Sequence, residues 1–425
     1  MRKTTGGGFG VSCLSALALV AGLAIAAPKP AAAGGSVEVL HWWTAGGEAK
    51  AVSALKDQFE AEGGTWIDSP VAGGGGDAAM TALRSRVIAG NPPSAVQLKG
   101  PSIQEWAAEG VVANLDDIAK AENWDKLLPA LLKSVVTYEG HYVAVPVNIH
   151  RVDWLWANPA VLAKAGVAVP TTWDEFNTAA EALKAKGIIP LAHGGQPWQD
   201  ATLFEVVVLG LGGPAFYHKA LVELDDAALR GDTMVKVFDQ MRRLRGFVDP
   251  NFSGRDWNLA TAMVINGEAG FQIMGDWAKG EFLGAGKVPG KDFLCIAAPG
   301  KGFLLNSDSL VMFDVKGADK IEGQKTLARL VLGETFQRTF NTLKGSIPAR
   351  QGMDLADFDA CAQKSQADLT KAIAADSLEP SMAHEMAVPR SVRGAIMDVV
   401  TAHFNSSESS AEAVAHLADS IAQAR

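Results

Sequence analysis

The stretch VEVLHWWTAGGEAK, from Val37 to Lys50, contains a predicted strand followed directly by a turn. Strand-like residues lead into two adjacent tryptophans, and a Gly-Gly pair and a glutamate follow. Successive side chains of a strand point to opposite faces, so we expect one indole of Trp42 and Trp43 to pack inside while the other faces outward. The two glycines allow the backbone to turn where the strand ends. The outward indole then needs a ligand or a partner to cover it.

The order of strand and helix repeats in the segments that follow. Hydrophobic periodicity and Gly or Pro stop signals predict, in turn, strand Val37–Trp42, helix Ala49–Ala61, strand Trp66–Ala72, helix Asp77–Ala89, strand Ala95–Leu98 and helix Ser102–Glu109. Such alternation is typical of an α/β fold with a parallel sheet. These sheets bind ligands beyond the carboxyl ends of their strands. This rule brings together His41–Glu48, Gly73–Gly76 and Gln97–Gly100.

The rest of the chain does not continue this regular alternation of strand and helix. A strand interrupted by Pro146 is predicted first, then a strand carrying Trp154 and Trp156, then a helix that starts at Asn158. Thr172 and Glu175 have the spacing of a capping box. The remaining predictions are mainly helix over 203–285 with a break at 210–214, strands at 293–297 and 309–313, and mainly helix over 320–425 with a loop at 344–350.

The length of 425 residues exceeds what one core normally organises, so we expect two domains. Residues 1–33 have the features of a secretory signal peptide: Arg2 and Lys3, an apolar run over 11–27, and small residues at 31–33. Removing it, with Lys29, takes the net charge from −9 to −12, which argues against nucleic acid as a partner. The signal peptide predicts that the protein is exported, and we expect it in the periplasm.

Two cysteines follow the predicted signal peptide, Cys295 and Cys361. In an oxidising compartment an even pair predicts a disulfide, and two buried free thiols are the alternative. The sequence around them has no paired CxxC or HExxH spacing. No metal site is therefore expected.

Nearly the whole chain carries, in order, the segments HWWTAGGE (41–48), PVNIHRVDWLWAN (146–158), PTTWDEF (170–176), INGEAGFQIMGDWAKGEF (265–282), NSDSLVMF (306–313) and KGSIPAR (344–350). Together they resemble the extracytoplasmic sugar-binding subunits of ABC importers, in the extracellular solute-binding protein family 1. The glucose and mannose binders of that family are the most similar.

The resemblance implies two α/β lobes, each a sheet flanked by helices, joined by a multi-strand hinge. The lobes are expected at 34–144 plus 305–345 and at 145–304 plus 346–425. The chain is expected to cross between them at 141–148, 299–313 and 344–350. A monomer of this kind would bind a monosaccharide, with glucose favoured over mannose or galactose, and deliver it to a membrane permease. The resemblance implies neither a cofactor nor catalysis.

A sugar site needs flat aromatic surfaces for the C–H faces of the ring and charged groups for its hydroxyls. The chain has 11 tryptophans against 3 tyrosines. The resemblance assigns ring contacts to Trp42, Trp43, Trp257 and Trp277. It assigns the hydroxyls to Glu48, Gln97, Lys99, Asp308, Lys344 and His384. Further candidates are Trp198, on a glycine-rich loop over 194–200, His150, Trp154 and His193.

Three alternatives stay open from sequence. A secreted glycoside hydrolase would also carry tryptophans and carboxylates, and it needs two carboxyl groups spaced across the scissile bond. The mixture of Lys99 and Lys344 with Glu48 and Asp308 favours hydroxyl binding over proton transfer. A binder of di- or oligosaccharides is the second alternative. The third, a nucleotide enzyme, is disfavoured because GLGGPA, at 210–215, contains Pro214 and lacks a βαβ context.

Overall fold

The computed structural model describes residues 34–425; the predicted signal peptide lies outside the described residues. The strands are β1 Ser36–His41, β2 Thr65–Pro70, β3 Ala95–Leu98, β4 Thr137–Tyr138, β5 His141–Tyr142, β6 Ala144–Pro146, β7 Asn148–Arg151, β8 Trp154–Ala157, β9 Ile189–Leu191, β10 Ala269–Ile273, β11 Leu294–Ala297, β12 Phe303–Asn306, β13 Ser309–Met312, β14 Ile347–Pro348 and β15 Leu378–Pro380.

The helices are α1 Gly46–Ala61, α2 Asp77–Ile88, α3 Gly100–Ala108, α4 Asp116–Ala121, α5 Trp124–Leu127, α6 Ala130–Val136, α7 Pro159–Ala165, α8 Trp173–Ala185, α9 Pro197–Tyr217, α10 Asp226–Leu229, α11 Asp232–Arg245, α12 Trp257–Ile265, α13 Ala278–Gly284, α14 Ala318–Val331, α15 Glu334–Lys344, α16 Ala360–Ala374, α17 Arg390–Asn405 and α18 Ser410–Ala424. A π-helical turn, His218–Val222, continues α9.

The first sheet has the strand order β2-β1-β3-β13-β6. β1 is parallel to both β2 and β3, as the alternating pattern predicts, whereas β13 is antiparallel to its neighbours β3 and β6. The amphipathic faces of α1, α2, α14 and α15 cover the sheet through Leu55, Leu83, Leu327 and Phe340. We call this apolar cluster the first core. Its parallel strands end on one edge, where the candidate site begins.

The second sheet has the order β11-β8-β10-β9 and is surrounded by helices. All four residues of β8 are buried, since helices cover both of its faces. The apolar cluster around this sheet, here the second core, includes side chains from α8, α9, α11, α12, α17 and α18. The segment Pro197–Val222 is long and apolar enough to cross a membrane, but more than half of that window is buried in the protein. It is a core helix of this domain.

A third, smaller sheet, β14-β7-β12-β15, lies where the chain passes between the other two. The chain leaves the first sheet between β6 and β7 and returns to it between β12 and β13. It leaves again after α15, when it enters β14. These three passages coincide with the crossings expected at 141–148, 299–313 and 344–350.

Several sequence predictions are confirmed. The α/β class and the first three strand–helix pairs agree with the structure to within a few residues. Asn158 caps α7, and Thr172 and Glu175 form the predicted capping box. The helices and strands of residues 203–285 agree less well with the prediction. β10 lies within the stretch 203–285 that was predicted as mainly helical, and α9 continues through Gly210 and kinks at Gly213 instead.

The predicted disulfide is confirmed, since Cys295 on β11 and Cys361 at the start of α16 are bonded, with their Cα atoms 5.9 Å apart. The bond ties the edge of the second sheet to a helix that packs against the third sheet. It closes a chain segment of 66 residues. Closing a loop of that length restricts the unfolded chain, so the bond stabilises the fold.

We predict that the double substitution Cys295→Ser and Cys361→Ser lowers the free energy of unfolding by about 2–4 kcal/mol. Urea unfolding of the two proteins, with the wild type under reducing conditions as control, measures the difference. Equal stability, or two titratable thiols in the oxidised wild type, would contradict the prediction.

Candidate functional site

A small cavity of about 30 Å³ lies between the carboxyl-end edge of the first sheet and elements of the second core. Its walls are buried indoles, charged groups, amides and two glycines. The residues that line it are Trp42, Trp43, Glu48, Gly74, Gly75, Gln97, Lys99, His150, Trp198, Trp257, Trp277, Asn306, Asp308, Lys344 and His384. The volume is about a tenth of the roughly 300 Å³ at which small-molecule pockets begin, so a ligand requires the walls to move apart.

The first wall consists of residues that follow β1, β2 and β3. β1 ends at His41, and both Trp42 and Trp43 lie beyond it and line the cavity. The expectation that one indole packs inside and the other faces outward is therefore wrong, because strand alternation has stopped before the pair. The Trp42 N–H donates to Gln97 Oε1 over 3.1 Å, which ties the ends of β1 and β3 together.

The glycine loop after β2 allows a third indole, that of Trp198, to approach the first wall. A Cβ added at Gly74 would lie 2.7 Å from Cζ2 of Trp198, and one added at Gly75 would lie 3.0 Å from Cγ of the same ring. Only glycine admits the Trp198 indole at this distance. Trp198 lies in the first turn of α9, so the prediction that it lies on a glycine-rich loop is wrong.

Asp308 is the centre of the polar network. Its buried carboxylate accepts hydrogen bonds from Gln97 Nε2 and Asn148 Nδ2, each over 3.0 Å, and lies 3.1 Å from His150 Nε2. Burial opposes its charge, but His150, with Lys344 and Lys99 nearby, holds the pKa of Asp308 well below its usual range. The carboxylate therefore stays ionised at any pH at which the protein is used.

His150 lies between two buried carboxylates. Burial works against a charged imidazole, yet the carboxylates of Asp276 and Asp308 raise the pKa of His150. Asp276 contacts His150 Nδ1, and its second oxygen accepts the N–H of Arg151 over 3.0 Å. Asp276 immediately precedes Trp277. The network therefore connects the third sheet to the indole on the opposite wall.

Glu48 and Lys344 form a buried ion pair. Lys344 Nζ donates to Glu48 Oε1 over 2.6 Å, and both side chains are almost completely buried. Glu48 lies in the first turn of α1 and Lys344 is the last residue of α15. Each charge is thus at the helix end that stabilises it. Lys344 Nζ also lies 5.8 Å from the ring centroid of Trp277.

Lys99, just beyond β3, is buried and lies over the Trp42 ring, with its Nζ 5.3 Å from the ring centroid. Burial lowers the pKa of Lys99, and the charges of Glu385 and Asp308 oppose that effect. Such an ammonium group can donate up to three hydrogen bonds. It is thus a donor available for ligand hydroxyls.

An aromatic cluster forms the second wall. His384 lies between two indoles, with its ring centroid 4.8 Å from that of Trp277 and 5.8 Å from that of Trp198. Trp257, the first residue of α12, completes the wall. His384 lies in a turn between β15 and α17, which corrects its expected place in a helical segment. Burial, aided by the charge of Lys99, lowers the pKa of His384 far enough to keep the imidazole neutral.

Glu205 of α9 supports the turn that carries His384, although the sequence analysis did not select it. The buried carboxylate accepts hydrogen bonds from Ser381 Oγ over 2.6 Å and from the Ala383 N–H over 3.1 Å. Ser381 Oγ in turn accepts the His384 N–H over 3.1 Å. Burial raises the pKa of Glu205 to about 7, against these hydrogen bonds. A charged residue inside an apolar helix was the signal that the sequence offered.

The structure brings together all ten first-choice residues and two of the further candidates, His150 and Trp198. It places the other two outside the cavity. Trp154 packs in the second core beneath the Arg151 guanidinium, and His193 Nε2 contacts Asp200 over 2.8 Å. Asn306 lines the cavity but was not selected, although it begins the NSDSLVMF segment.

Within residues 34–425, no group of three or more His, Cys, Asp or Glu side chains is placed to hold a metal ion.

The fold and the site define a two-lobed solute-binding protein. The sequence profile of the bacterial extracellular solute-binding protein family matches residues 44–314, and the chain belongs to that family. A probable sugar-binding periplasmic protein of Rhizobium meliloti is 52% identical over 408 residues, which cover 96% of this chain and 98% of that protein. These findings confirm the periplasmic location predicted from sequence.

Two further proteins extend the comparison. An uncharacterised ABC transporter extracellular-binding protein of Pyrococcus horikoshii is 32% identical over 371 residues, or 86% of this chain and 82% of that protein. The solved structure of the bacterial solute receptor AcbH, described as preferring β-D-galactopyranose, matches with a TM-score of 0.77. It is 18% identical and covers 92% of this chain and 99% of its own, so it supports the fold alone.

We predict that Glu205→Gln changes the pH dependence of stability. The raised pKa means that protonated Glu205 stabilises the folded protein below about pH 4.5, and this stabilisation is lost as the pH rises through about 7. The glutamine cannot ionise. Between about pH 5 and pH 8, the unfolding free energy of the variant relative to wild type should therefore rise by up to about 3 kcal/mol.

Urea unfolding of both proteins across this pH range measures the difference, and all other titrating groups cancel in the comparison. Parallel stability curves for the variant and the wild type would contradict an ionising Glu205.

Proposed function

We propose that the protein binds one monosaccharide between its lobes and delivers it to the membrane permease of an ABC importer. Glucose is the favoured ligand, with mannose and galactose as the alternatives. The observation that carries the proposal is the composition of the cavity, which five indoles and eight polar side chains line together. The names of the relatives, sugar-binding and ABC transporter, agree with this function.

The chemistry of a pyranose fits these walls. Trp277 and the indoles that follow β1 offer apolar area to the C–H faces, because aromatic rings bury much surface at low entropic cost. Charged groups such as Glu48, Lys99 and Asp308 form hydrogen bonds to hydroxyls worth roughly 1.5–3 kcal/mol each, against about 1 for neutral partners. A sugar that lacks one of those hydroxyls would leave a buried charge unpaired, so the site would discriminate strongly.

We propose that the lobes are 34–144 plus 305–345 and 145–304 plus 346–425. Each cavity wall then belongs to one lobe and its core, and the third sheet acts as the hinge. The lobes separate to admit the sugar, and the sugar stabilises the closed form through the extra contacts made when both lobes touch it. The preference for a monosaccharide over longer sugars rests on the resemblance to glucose and mannose binders.

A secreted glycoside hydrolase remains the competing function of a different class. In a hydrolase, the two carboxylates of the cavity, Glu48 and Asp308, would have to act as acid and base. Here Glu48 is paired with Lys344, and Asp308 accepts hydrogen bonds from two amides. A general acid needs a raised pKa, whereas that of Asp308 is lowered. We expect no release of nitrophenol from nitrophenyl glycosides.

Titration calorimetry of the chain without residues 1–33 tests the proposed function, using glucose, mannose, galactose and maltose as ligands. The proposal predicts saturable binding of one hexose at a stoichiometry of one. Absence of heat with all three hexoses, or clearly tighter binding of maltose, would contradict it.

We predict that Trp277→Ala weakens binding of that hexose by more than about tenfold, because the substitution removes the apolar surface opposite the first wall. Trp66→Ala is the matched control: its indole is similarly buried, at 7% exposure, but packs on Phe59 in the first core outside the cavity. Calorimetry on both folded variants measures the effect. Unchanged affinity in Trp277→Ala, or an equal loss in both, would exclude Trp277 from the site.

A further inference from the structure

An ion cluster joins the two walls outside the sugar cavity. Asp77 begins α2, which packs on the first core, and Arg390 and Arg393 lie on α17, which packs on the second. Asp77 Oδ1 accepts hydrogen bonds from Arg390 Nη2 over 2.6 Å and from Arg393 Nη1 over 3.2 Å. None of these residues lines the cavity. The contact therefore spans the cleft without requiring the ligand.

The same cluster holds the turn that carries His384. Arg393 Nη1 also donates to Glu385 Oε1 over 3.1 Å, and Arg393 Nε donates to the Ala383 carbonyl over 2.8 Å. Both acceptors are immediate neighbours of His384 in the chain. A single guanidinium thus contacts the opposite lobe and fixes the backbone on each side of a cavity residue.

Because most of the cluster is buried, the contact across the cleft contributes to the stability of the closed lobes. Arg393 and Glu385 are buried, whereas the Asp77 side chain is 47% exposed. Asp77 and Glu385 are the two carboxylates that contact the guanidinium groups of Arg390 and Arg393 directly. When the lobes separate, Arg390 and Arg393 share Glu385 alone, which is less favourable for partly buried cations. The contact with Asp77 therefore favours the closed arrangement.

We propose that Asp77 is a positioning residue for the sugar site: by pairing with Arg390 and Arg393 across the cleft, it stabilises the closed lobes and slows the release of bound sugar. This inference rests on the proposed function. The Asp77 contact should affect the dissociation rate of the sugar, because the ion pair forms only after the lobes meet. Screening by salt weakens it, since Asp77 is half exposed.

The test compares Asp77→Asn with wild type by stopped-flow tryptophan fluorescence, using glucose or whichever hexose binds in calorimetry. We expect the dissociation rate of the variant to rise by about two- to fivefold, the upper part of the range for exposed ion pairs, with little change in the association rate. Asparagine preserves the size of the side chain at an exposed helix start, so the variant should fold.

Glu38→Gln is the matched control. Glu38 on β1 pairs with Arg86, on the same helix as Asp77, at 2.8 Å, but both partners belong to the first lobe. This variant loses a carboxylate–guanidinium pair without touching the cleft, and its dissociation rate should equal that of wild type. Raising NaCl from about 0.05 M to about 0.5 M should accelerate release from wild type and from Glu38→Gln more than from Asp77→Asn.

The outcomes separate the two claims. If wild type binds a hexose and Asp77→Asn releases it at the wild-type rate, or if Glu38→Gln shows the same acceleration, the role of Asp77 is overturned while sugar binding stands. If wild type binds no hexose, the proposed function fails and the role of Asp77 fails with it.

Discussion

The buried carboxylate of Asp308 is the constraint on which the site depends. A charge removed from water needs donors around it, and these come from different parts of the chain: Gln97 on β3, and Asn148 and His150 on β7. Those strands belong to the first and third sheets. Satisfying one carboxylate therefore fixes where the two sheets meet, and the meeting point is the floor of the cavity.

The other charges of the site are arranged around this floor, and they pair with one another. Glu48 is bonded to Lys344, and His150 lies between Asp276 and Asp308. In the proposed function, sugar hydroxyls would compete with these contacts, and a ligand that offers matching donors and acceptors would compensate for displacing them. The pairing thus favours selectivity over affinity, and it keeps the buried charges satisfied before a ligand arrives.

Sequence patterns predicted the parts of the fold that local periodicity controls. The parallel strands of the first sheet and the polar residues beyond their ends follow from alternation and from the sheet geometry. β10 was missed because a buried strand between helices has no alternating polar face. The positions of Trp198 and His384 were misjudged because α9 starts within a glycine-rich segment and the turn after β15 is held by the distant Glu205. The resemblance to a known family supplied the members of the site that periodicity cannot identify, such as Trp277 and Lys344.

A crystal structure of the chain without residues 1–33, grown with glucose, would show whether both lobes hold the sugar. We expect one pyranose between Trp277 and the indoles that follow β1, with its hydroxyls within hydrogen-bond distance of Glu48, Lys99 and Asp308. Electron density for the sugar outside this cavity, or within it but touching only one lobe, would contradict the claim that both lobes hold the ligand.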